Sequence, residues 1–364
     1  MKNKTITLFL SLLICSNIVA MKKRTDQRIL ELEQKRQVHC YQIGNKDSAL
    51  DCCLEIIQLG EESQPSKISK GIIVNAMNNI AEIYLYHKPS KNLDEKKIIK
   101  DLKATASTTQ KELLFYKIRA NFLLAEFYHL KQKDCKKAVE YYKKCIKTSQ
   151  KLNNQTLRYD SEIPSRYYIA QISMNQILAA KNKTKEECEK VVQLYLDILH
   201  QYDDLHPCRV FASYAASEMV EKQSAKEDLL SFCLKLIHRI FWSDKVTLYP
   251  DERENIDQIL LPAQLELANL SEGKTKQEKF KIFKILNLHK IDYNSEKNKK
   301  CIEGDKSLKS GLRIMNQLKN RFICRTCEKR AKDLKQCSRC KIAHYCSTEC
   351  QVKNWQQHKE ICKK

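Results

Sequence analysis

The last forty residues of the chain carry cysteines and a histidine at short, regular spacings. Their order is C-x2-C-x9-C-x2-C-x5-C-x3-C-x7-H-x3-C, and they are Cys324, Cys327, Cys337, Cys340, Cys346, Cys350, His358 and Cys362. Each has another member three or four positions away, so two side chains can turn toward a common point. Eight such ligands divide into two tetrahedral sets of four, the coordination that zinc prefers. The pattern therefore predicts two zinc ions.

A disulfide framework is the alternative use of these cysteines. It requires an oxidising compartment, and seven cysteines with one histidine leave an odd sulfur. Chance clustering does not explain the regular pairing. Protein ligands would fill both tetrahedra and leave no position for the water that a catalytic zinc holds. We therefore expect two structural zinc ions, whose binding supplies most of the folding free energy of so small a segment.

The segment 324–362 resembles the MYND-type zinc finger family. The resemblance rests on the eight ligands in this order, on Tyr345 before the fifth ligand and on Trp355 three residues before the histidine. In that family the ligands alternate between the two ions, which spacing alone does not reveal. The resemblance assigns one ion to Cys324, Cys327, Cys346 and Cys350, and the other to Cys337, Cys340, His358 and Cys362.

Fingers of this family act mainly as protein-binding modules that recognise short proline-containing peptides. The resemblance places such a peptide against Ser338, Gln351 and Trp355. The indole of Trp355 would offer an apolar face to proline rings, and the Gln351 amide would bond to a peptide backbone. In the alternative interpretation, Ser338 and Gln351 are ordinary surface residues, and Trp355 packs in the small core of the finger with Tyr345 and Val352.

The finger has no glycine between Arg321 and Lys364. The tight turn after each C-x2-C pair often uses a residue with positive φ, for which glycine costs least. Glu328 and Lys341 occupy these two positions. The sequence therefore predicts a left-handed, slightly strained backbone at both residues.

Glycine and proline are scarce in the whole chain, and this favours helices. Six glycines and six prolines occur in 364 residues, whereas Lys, Glu, Leu, Ile and Ala are abundant. So few glycines argue against Rossmann and P-loop motifs, and neither motif occurs in the sequence. The length suits a protein of two or three domains.

Helix-start signals recur along the body of the chain. They are first-turn prolines at Pro164 and Pro207, and capping boxes at Thr184–Glu187 and Ser224–Glu227. The two prolines are 43 residues apart and the two boxes 40. This spacing predicts a repeated helix-turn-helix unit and hence a helical solenoid. An irregular helical domain is the alternative.

One helix pair resembles a tetratricopeptide repeat. Leu124-Ala125-x-x-Tyr128 is followed by Ala138-x3-Tyr142-x2-Cys145, and the small residues would let the paired helices approach closely. The sequence departs from that family in its period, which exceeds about 34 residues, and in the absence of the expected tryptophan. We expect an all-α fold, a tetratricopeptide-like solenoid of helical hairpins followed by a small two-zinc finger.

The predicted organisation has four parts. They are a candidate signal peptide or N-terminal extension at 1–20, a helical-repeat domain at 24–290, a charged linker with a short helix at 291–320, and the finger at 321–364. The polar, lysine-rich stretch 294–310 predicts an exposed loop, and Tyr249–Arg253 a turn.

The N-terminus leaves the compartment open. A basic start followed by an apolar run from Ile6 to Ala20 is typical of a secretory signal peptide, and the run is short for a transmembrane helix. A start at Met21, or a membrane-associating or organellar leader, are the alternatives. Reduced zinc thiolates favour the cytoplasm or nucleus. Apart from this segment we expect no membrane partner, and we expect the ten cysteines outside the finger to be buried and reduced.

Charge suggests a second kind of partner. The chain has a net charge of +22, and 321–364 alone holds 12 basic and 4 acidic residues. Such a surface attracts nucleic acid or acidic proteins non-specifically, although a solvated lysine-rich surface is the ordinary interpretation.

The leading prediction is a non-enzymatic adaptor whose finger binds short peptides and whose helical repeats bind a second protein partner. A basic, nucleic-acid-associated regulatory protein is the first alternative. A relative of the MYND-containing lysine methyltransferases is the second, although the sequence shows no SET-like Asn-His-Ser or Gly-Glu-Glu-Leu motif. H-E-x-x-H and G-x-S-x-G are also absent, so we predict no catalytic residues.

Overall fold

The structure is a computed structural model. It describes residues 22–63, 66–87, 89–180, 184–202, 205–243, 246, 248, 250–289, 291, 293, 295–340 and 343–362. The candidate signal peptide at 1–20 and the alternative start at Met21 lie outside these residues. In the described part of the chain, no helix is both long and apolar enough to cross a bilayer. Two compact units are present, one ending at Ile172 and the other beginning at Ser173.

The first unit is built from successive helices. They are α1 (22–37), α2 (Lys46–Glu62), α3 (Lys67–Tyr86), α4 (Glu95–Ser107), α5 (Leu114–Glu126), α6 (Cys135–Ser149) and the first part of α7 (Gln155–Ala179). Wider, π-type turns extend α1 through Val38–Ile43 and α5 through Phe127–Lys131. Helix α2 packs on α3, α4 on α5, and α5 on both α3 and α6. This repeat-like packing confirms the predicted all-α class.

The second unit continues with helices and ends in the finger. Its elements after α7 are α8 (Lys185–Gln201), α9 (Pro207–Met219), α10 (Gln223–Phe241), α11 (Pro250–Asn269), α12 (Lys276–Leu286), α13 (Glu296–Gly304), α14 (Lys306–Phe322), β1 (Lys335–Gln336), β2 (His344–Tyr345) and α15 (Thr348–Ile361). Each of α8, α9 and α10 packs on its successor, and α14 packs on α11 and α12.

Helices α11 and α14 approach each other closely at Gly311. A Cβ atom at Gly311 would lie 2.3 Å from the backbone carbonyl oxygen of Leu265. This is far inside van der Waals contact, so only glycine fits without moving one helix. The position thus fixes how closely α14, which leads into the finger, lies against α11.

Two helix starts predicted from the sequence are confirmed. Pro207 is the first residue of α9. Thr184 and Glu187 form a reciprocal capping box at the start of α8. The other two predicted starts are wrong.

Pro164 lies in the interior of α7 and does not begin it. Ion pairs on both sides of the proline hold the helix together. Glu162 is almost completely buried and binds Arg158 at 3.1 Å and Arg166 at 2.8 Å, each one helical turn away. These contacts stabilise a helical path through a residue that otherwise favours a first turn.

Ser224 does not cap α10. The N-cap residue is Lys222, which makes no side-chain capping bond, and Ser224 lies inside the first turn. The Glu227 carboxylate, which a capping box would turn back toward Ser224, binds Lys274 at 2.6 Å instead. The spacing of 40 residues between two boxes therefore has no counterpart in the structure.

In the lysine-rich stretch, residues 296–304 and 306–310 are helical, in contrast to the predicted loop. Ser295 caps α13, and the Asp305 carboxylate accepts hydrogen bonds from two amides at the start of α14. Ile302 and Leu308 are buried, so an apolar face holds the two helices while Lys299, Lys300, Lys306 and Lys309 are exposed. The predicted turn at Tyr249–Arg253 also differs, because α11 begins at Pro250.

The cysteines outside the finger are only partly as predicted. All of the described ones are free thiols, and four of them are buried: Cys52, Cys53, Cys145 and Cys233. Burial raises the pKa of Cys53 and of Cys145 to about 12, which keeps these thiols protonated and inert. Cys301 on α13 is exposed, contrary to the prediction.

The core of the first unit contains an unusual carboxyl group. Glu126, at the end of α5, is 3% exposed, and one of its oxygens has no hydrogen-bond partner among the described residues. Burial, and then the neighbouring Glu82, raise the pKa of Glu126 to about 8. The folded protein therefore holds this side chain in its protonated form at neutral pH.

Glu126→Gln is expected to stabilise the protein increasingly as pH rises. The carboxyl's pKa is raised from 4.5 to about 8 on folding, so its stabilising contribution is complete below pH 4.5 and is lost as pH rises toward 8. The neutral amide does not ionise. Its advantage in unfolding free energy should grow by up to about 1.4 kcal/mol per pH unit.

Denaturant unfolding at several pH values within this window measures the effect of Glu126→Gln. The matched control is Glu112→Gln, because the Glu112 side chain is 68% exposed. An advantage of the Glu126 variant that stays constant with pH would contradict the assignment.

Candidate metal centre

The finger begins with a tight turn that holds the first two ligands. The Cys324 amide donates to the Lys329 carbonyl oxygen at 2.9 Å, and the Glu328 amide donates to the Cys324 carbonyl oxygen at 3.0 Å. Glu328 has φ of 55°, as the sequence predicts, and a side chain in this left-handed region costs on the order of 1 kcal/mol. Lys341, for which the same conformation is predicted, lies outside the described residues.

A short antiparallel ribbon carries the next ligands. Lys335 pairs with Tyr345 and Gln336 with His344. The residue after each strand is a predicted ligand, Cys337 after β1 and Cys346 after β2. The Cys337 amide donates to the Ala343 carbonyl oxygen at 2.8 Å. The ribbon therefore closes the turn that contains Cys337 and Cys340.

Helix α15 supplies the last ligands. Ser347 caps it by accepting a hydrogen bond from the Cys350 amide. Cys350 lies in the first turn and His358 eight residues later, which is about 12 Å along a helix axis. Two ligands so far apart cannot share one ion, so α15 must serve both sites.

The structure gathers the eight predicted ligands into two clusters. They are Cys324, Cys327, Cys346 and Cys350 in the first cluster, and Cys337, Cys340, His358 and Cys362 in the second. Within each cluster the ligand atoms all lie within 4.8 Å of one another. These are the alternating sets implied by the resemblance to MYND-type fingers.

The distances fit zinc. Around a tetrahedral zinc with Zn–S bonds of about 2.3 Å, sulfur atoms lie about 3.8 Å apart. The Sγ atoms of Cys327 and Cys346 are 3.4 Å apart, and those of Cys337 and Cys362 are 3.9 Å apart. In the second cluster, Nε2 of His358 is 3.4 Å from the Sγ atom of Cys337. Donor types and separations thus both suit zinc, with four protein ligands at each site.

The cysteine thiols within a cluster hinder one another's ionisation unless a cation is bound. Burial opposes the Cys324 thiolate, but the amides of Cys327, Cys346 and Thr326 donate to it and lower its pKa to about 6. Hydrogen bonding by the Cys327 thiol and by a second thiol of the cluster raises the pKa of Cys346 to about 12. Burial and the two neighbouring thiols raise the pKa of Cys362 to about 11. A divalent cation removes this mutual opposition, so zinc binding releases protons.

The small core of the finger lies beside the ligands. Tyr345 is fully buried, and its hydroxyl donates to Asn354 on α15 at 3.1 Å. Its ring meets the His358 ring edge-on, with centroids 6.1 Å apart. Tyr345 is a core residue, as predicted, and Ala343 is buried beside it, whereas Val352 is 67% exposed and does not belong to the core. An apolar residue at this position cannot be assigned to core or surface without the orientation of α15.

The candidate peptide-binding residues lie on or near the surface. Gln351 and Trp355 are one turn apart on α15, and Ser338 lies exposed between two ligands of the second cluster. Trp355 is 37% exposed, and its ring contacts the His358 ring at 6.0 Å between centroids. Val352 adds an exposed apolar side chain three residues before Trp355. We call Gln351, Val352 and Trp355 the α15 patch.

The finger is packed directly on the helices of the second unit. Phe322, the last residue of α14, is fully buried, with its ring centroid 5.2 Å from that of Phe280 and 5.3 Å from that of Phe283 on α12. Only Ile323 separates it from Cys324. Lys276 on α12 also binds Asp333 in the finger at 2.8 Å. The finger therefore follows α14 without a linker and is held against α12.

Comparison with known proteins supports this geometry. Residues 324–362 match the family model of the MYND finger. The chain thus contains a MYND finger with two zinc sites.

Similar proteins match in this region. A SET and MYND domain-containing protein of Dictyostelium discoideum is 39% identical over 72 residues, which cover 18% of this chain and 13% of that protein. A zinc finger MYND domain-containing protein 10 homolog of Drosophila melanogaster is 54% identical over 41 residues, 11% and 9% of the two chains. The mouse histone-lysine N-methyltransferase Smyd1 is 49% identical over 41 residues, 11% and 8%. No solved structure gives a significant match.

Proposed function

We propose that this protein is a non-enzymatic adaptor whose zinc finger captures short peptides on the α15 patch. The main support for this proposal is that Val352 and Trp355 are exposed on one side of a helix that is fixed by two metal sites. Apolar side chains in so small a module would pack inward if they served folding alone. An indole and an aliphatic side chain next to the Gln351 amide suit an extended, proline-containing peptide.

The metal sites play a structural part in this proposal. Four protein ligands surround each site, so zinc orders the finger and holds α15 in place. The methyltransferase relatives match only a small share of their length, 8% for Smyd1. That share contains the finger and lends no support to methyl transfer by this chain.

The helical units are proposed to bind a second protein partner. Successive packed helices present long exposed faces, which is how helical-repeat proteins bind peptides and helices. With a peptide on the finger, this arrangement would bring two proteins together.

Trp355→Ala is expected to weaken peptide binding at least about tenfold, because a tryptophan that anchors an interface commonly contributes about 2 kcal/mol or more to the binding free energy. The measurement is binding of immobilised proline-containing peptides by the zinc-loaded chain. Native mass spectrometry should still count two zinc ions, since Trp355 is not a ligand. Lys353→Ala, an exposed change on the same helix, is the control and should bind normally.

Val352→Asp provides a second test, because Val352 is more exposed than Trp355 and its replacement leaves the ring contact with His358 in place. Peptide capture that survives both substitutions would show that the α15 patch is not the binding surface.

A further inference from the structure

The solvent side of α6 and the turn before it are strongly basic. Residues 131–151 contain eight lysines and two acidic residues. The lysines are Lys131, Lys133, Lys136, Lys137, Lys143, Lys144, Lys147 and Lys151. Ala138, Tyr142 and Cys145 are buried on the opposite side of the helix, so the lysines of α6 face water. This surface belongs to the first unit, which does not contain the finger.

One edge of this surface is used within the fold. Lys137 and Lys144 each bind a carboxylate and each lie over a tyrosine ring. Their partners are Asp134 at 2.8 Å and Tyr128 at 5.3 Å for Lys137, and Glu140 at 2.6 Å and Tyr141 at 4.5 Å for Lys144. The two tyrosine rings stack on each other. Both acidic residues of the surface are therefore engaged at this edge.

The lysines of the other edge form no ion pair with any described carboxylate. Lys136, Lys143 and Lys147 are exposed, and within the described ranges none of them forms an ion pair. We call these three residues the α6 lysine row. They lie at positions i, i+7 and i+11, so they follow one side of the helix over about 16 Å.

Helix α2 of the same unit differs in this respect. On α2, Asp51 binds Lys91 at 2.5 Å, Glu55 binds Arg28 at 2.8 Å and Glu61 binds Lys97 at 3.6 Å. These three carboxylates of α2 thus form ion pairs within the chain, whereas among the described residues the α6 lysine row forms none. Three aligned ammonium groups that are not ion-paired repel one another, and an external anion with several charges relieves that repulsion.

We propose that the α6 lysine row binds the phosphate backbone of a nucleic acid without reading its sequence. Ammonium groups bind phosphates as point charges, whereas base recognition uses the forked or amide side chains of Arg, Asn and Gln, which the row lacks. Among its described residues, α6 exposes no large apolar side chain, which argues against insertion into a lipid surface. The net charge of +22 attracts the polyanion. The proposal does not depend on peptide binding by the finger.

The test measures binding of a fluorescent oligothymidylate of about 20 nucleotides to the zinc-loaded full chain over a range of salt concentrations. Lys136→Glu, Lys143→Glu and Lys147→Glu are combined in one variant. Its affinity at low salt should fall at least about tenfold. The slope of log affinity against log salt should become shallower by about 2, because each lost phosphate contact contributes about 0.7 for a single strand.

The matched control makes the same change in charge elsewhere. Lys299, Lys306 and Lys309 are exposed lysines of α13 and α14, and reversing all three should leave the affinity within about threefold. Equal weakening by both triple variants would show that only net charge matters and would overturn the proposal. Tighter binding of a polyglutamate of equal charge to the row would also overturn it, in favour of an acidic protein partner.

A milder triple variant guards against misfolding. Lys→Gln at the same three positions removes the charges without adding new ones, and should weaken binding and reduce the slope in the same direction. Unchanged binding by this variant, with unchanged helix content, would contradict the proposal.

Discussion

Cys346→Ser is expected to release zinc from both sites and to unfold the finger. Cys346 is a ligand of the first cluster and follows Tyr345, the central core residue of the finger. Helix α15 carries ligands of both clusters, so its displacement at one site opens the other. Structural zinc commonly contributes about 10–16 kcal/mol to such small modules. Native mass spectrometry should find two ions on the natural chain and none on the variant.

The control is Cys301→Ser, which removes an exposed thiol of α13 that is no ligand. It should keep both ions. Retention of two ions by Cys346→Ser would contradict the ligand assignment. Loss of one ion, with the second site and α15 intact, would contradict the coupling between the sites.

Phe322→Ala is expected to lower the unfolding free energy of the second unit by about 3–5 kcal/mol. The Phe322 ring is fully buried between the rings of Phe280 and Phe283, and its loss leaves a cavity where α14 meets α12. Hydrogen exchange of the amides of α12 and α14 measures the change locally. Zinc retention should also weaken, because Cys324 lies two residues further on.

Phe115→Ala serves as the comparison. Phe115 belongs to the first unit and is 40% exposed, so its truncation should cost about 1 kcal/mol or less. If Phe322→Ala were as mild as Phe115→Ala, the finger would not be anchored through this ring.

The zinc ligands were the most predictable part of the molecule. Thiolate and imidazole chemistry leaves few uses for eight closely spaced residues, so Cys324 and its partners could be named from the sequence. Their division between two ions could not, because it depends on the ribbon and on the 12 Å or so that separate Cys350 from His358 along α15. Only the resemblance to a known finger supplied it.

The all-helical fold could be predicted from the sequence, but the residues at which individual helices begin could be predicted only in part. The S/T-x-x-E signature wrongly predicted a capping box at Ser224. The same signature occurs at Thr275, where Thr275 and Glu278 do form a capping box. The difference is tertiary: Glu227 is drawn away by Lys274, while Glu278 is exposed and free to turn back. Composition also could not predict whether the Val352 side chain is buried or exposed.

The junction between α14 and the finger has a consequence for binding. One residue, Ile323, separates the buried Phe322 from the ligand Cys324, so no flexible tether intervenes. A partner that touches both the α15 patch and the neighbouring helices of the second unit would therefore meet its second site at a fixed distance. Effective concentration in such an arrangement is high when the spacing matches and close to zero when it does not. For a partner that binds both surfaces, as proposed, the junction would therefore favour one whose two binding segments are separated by the matching distance.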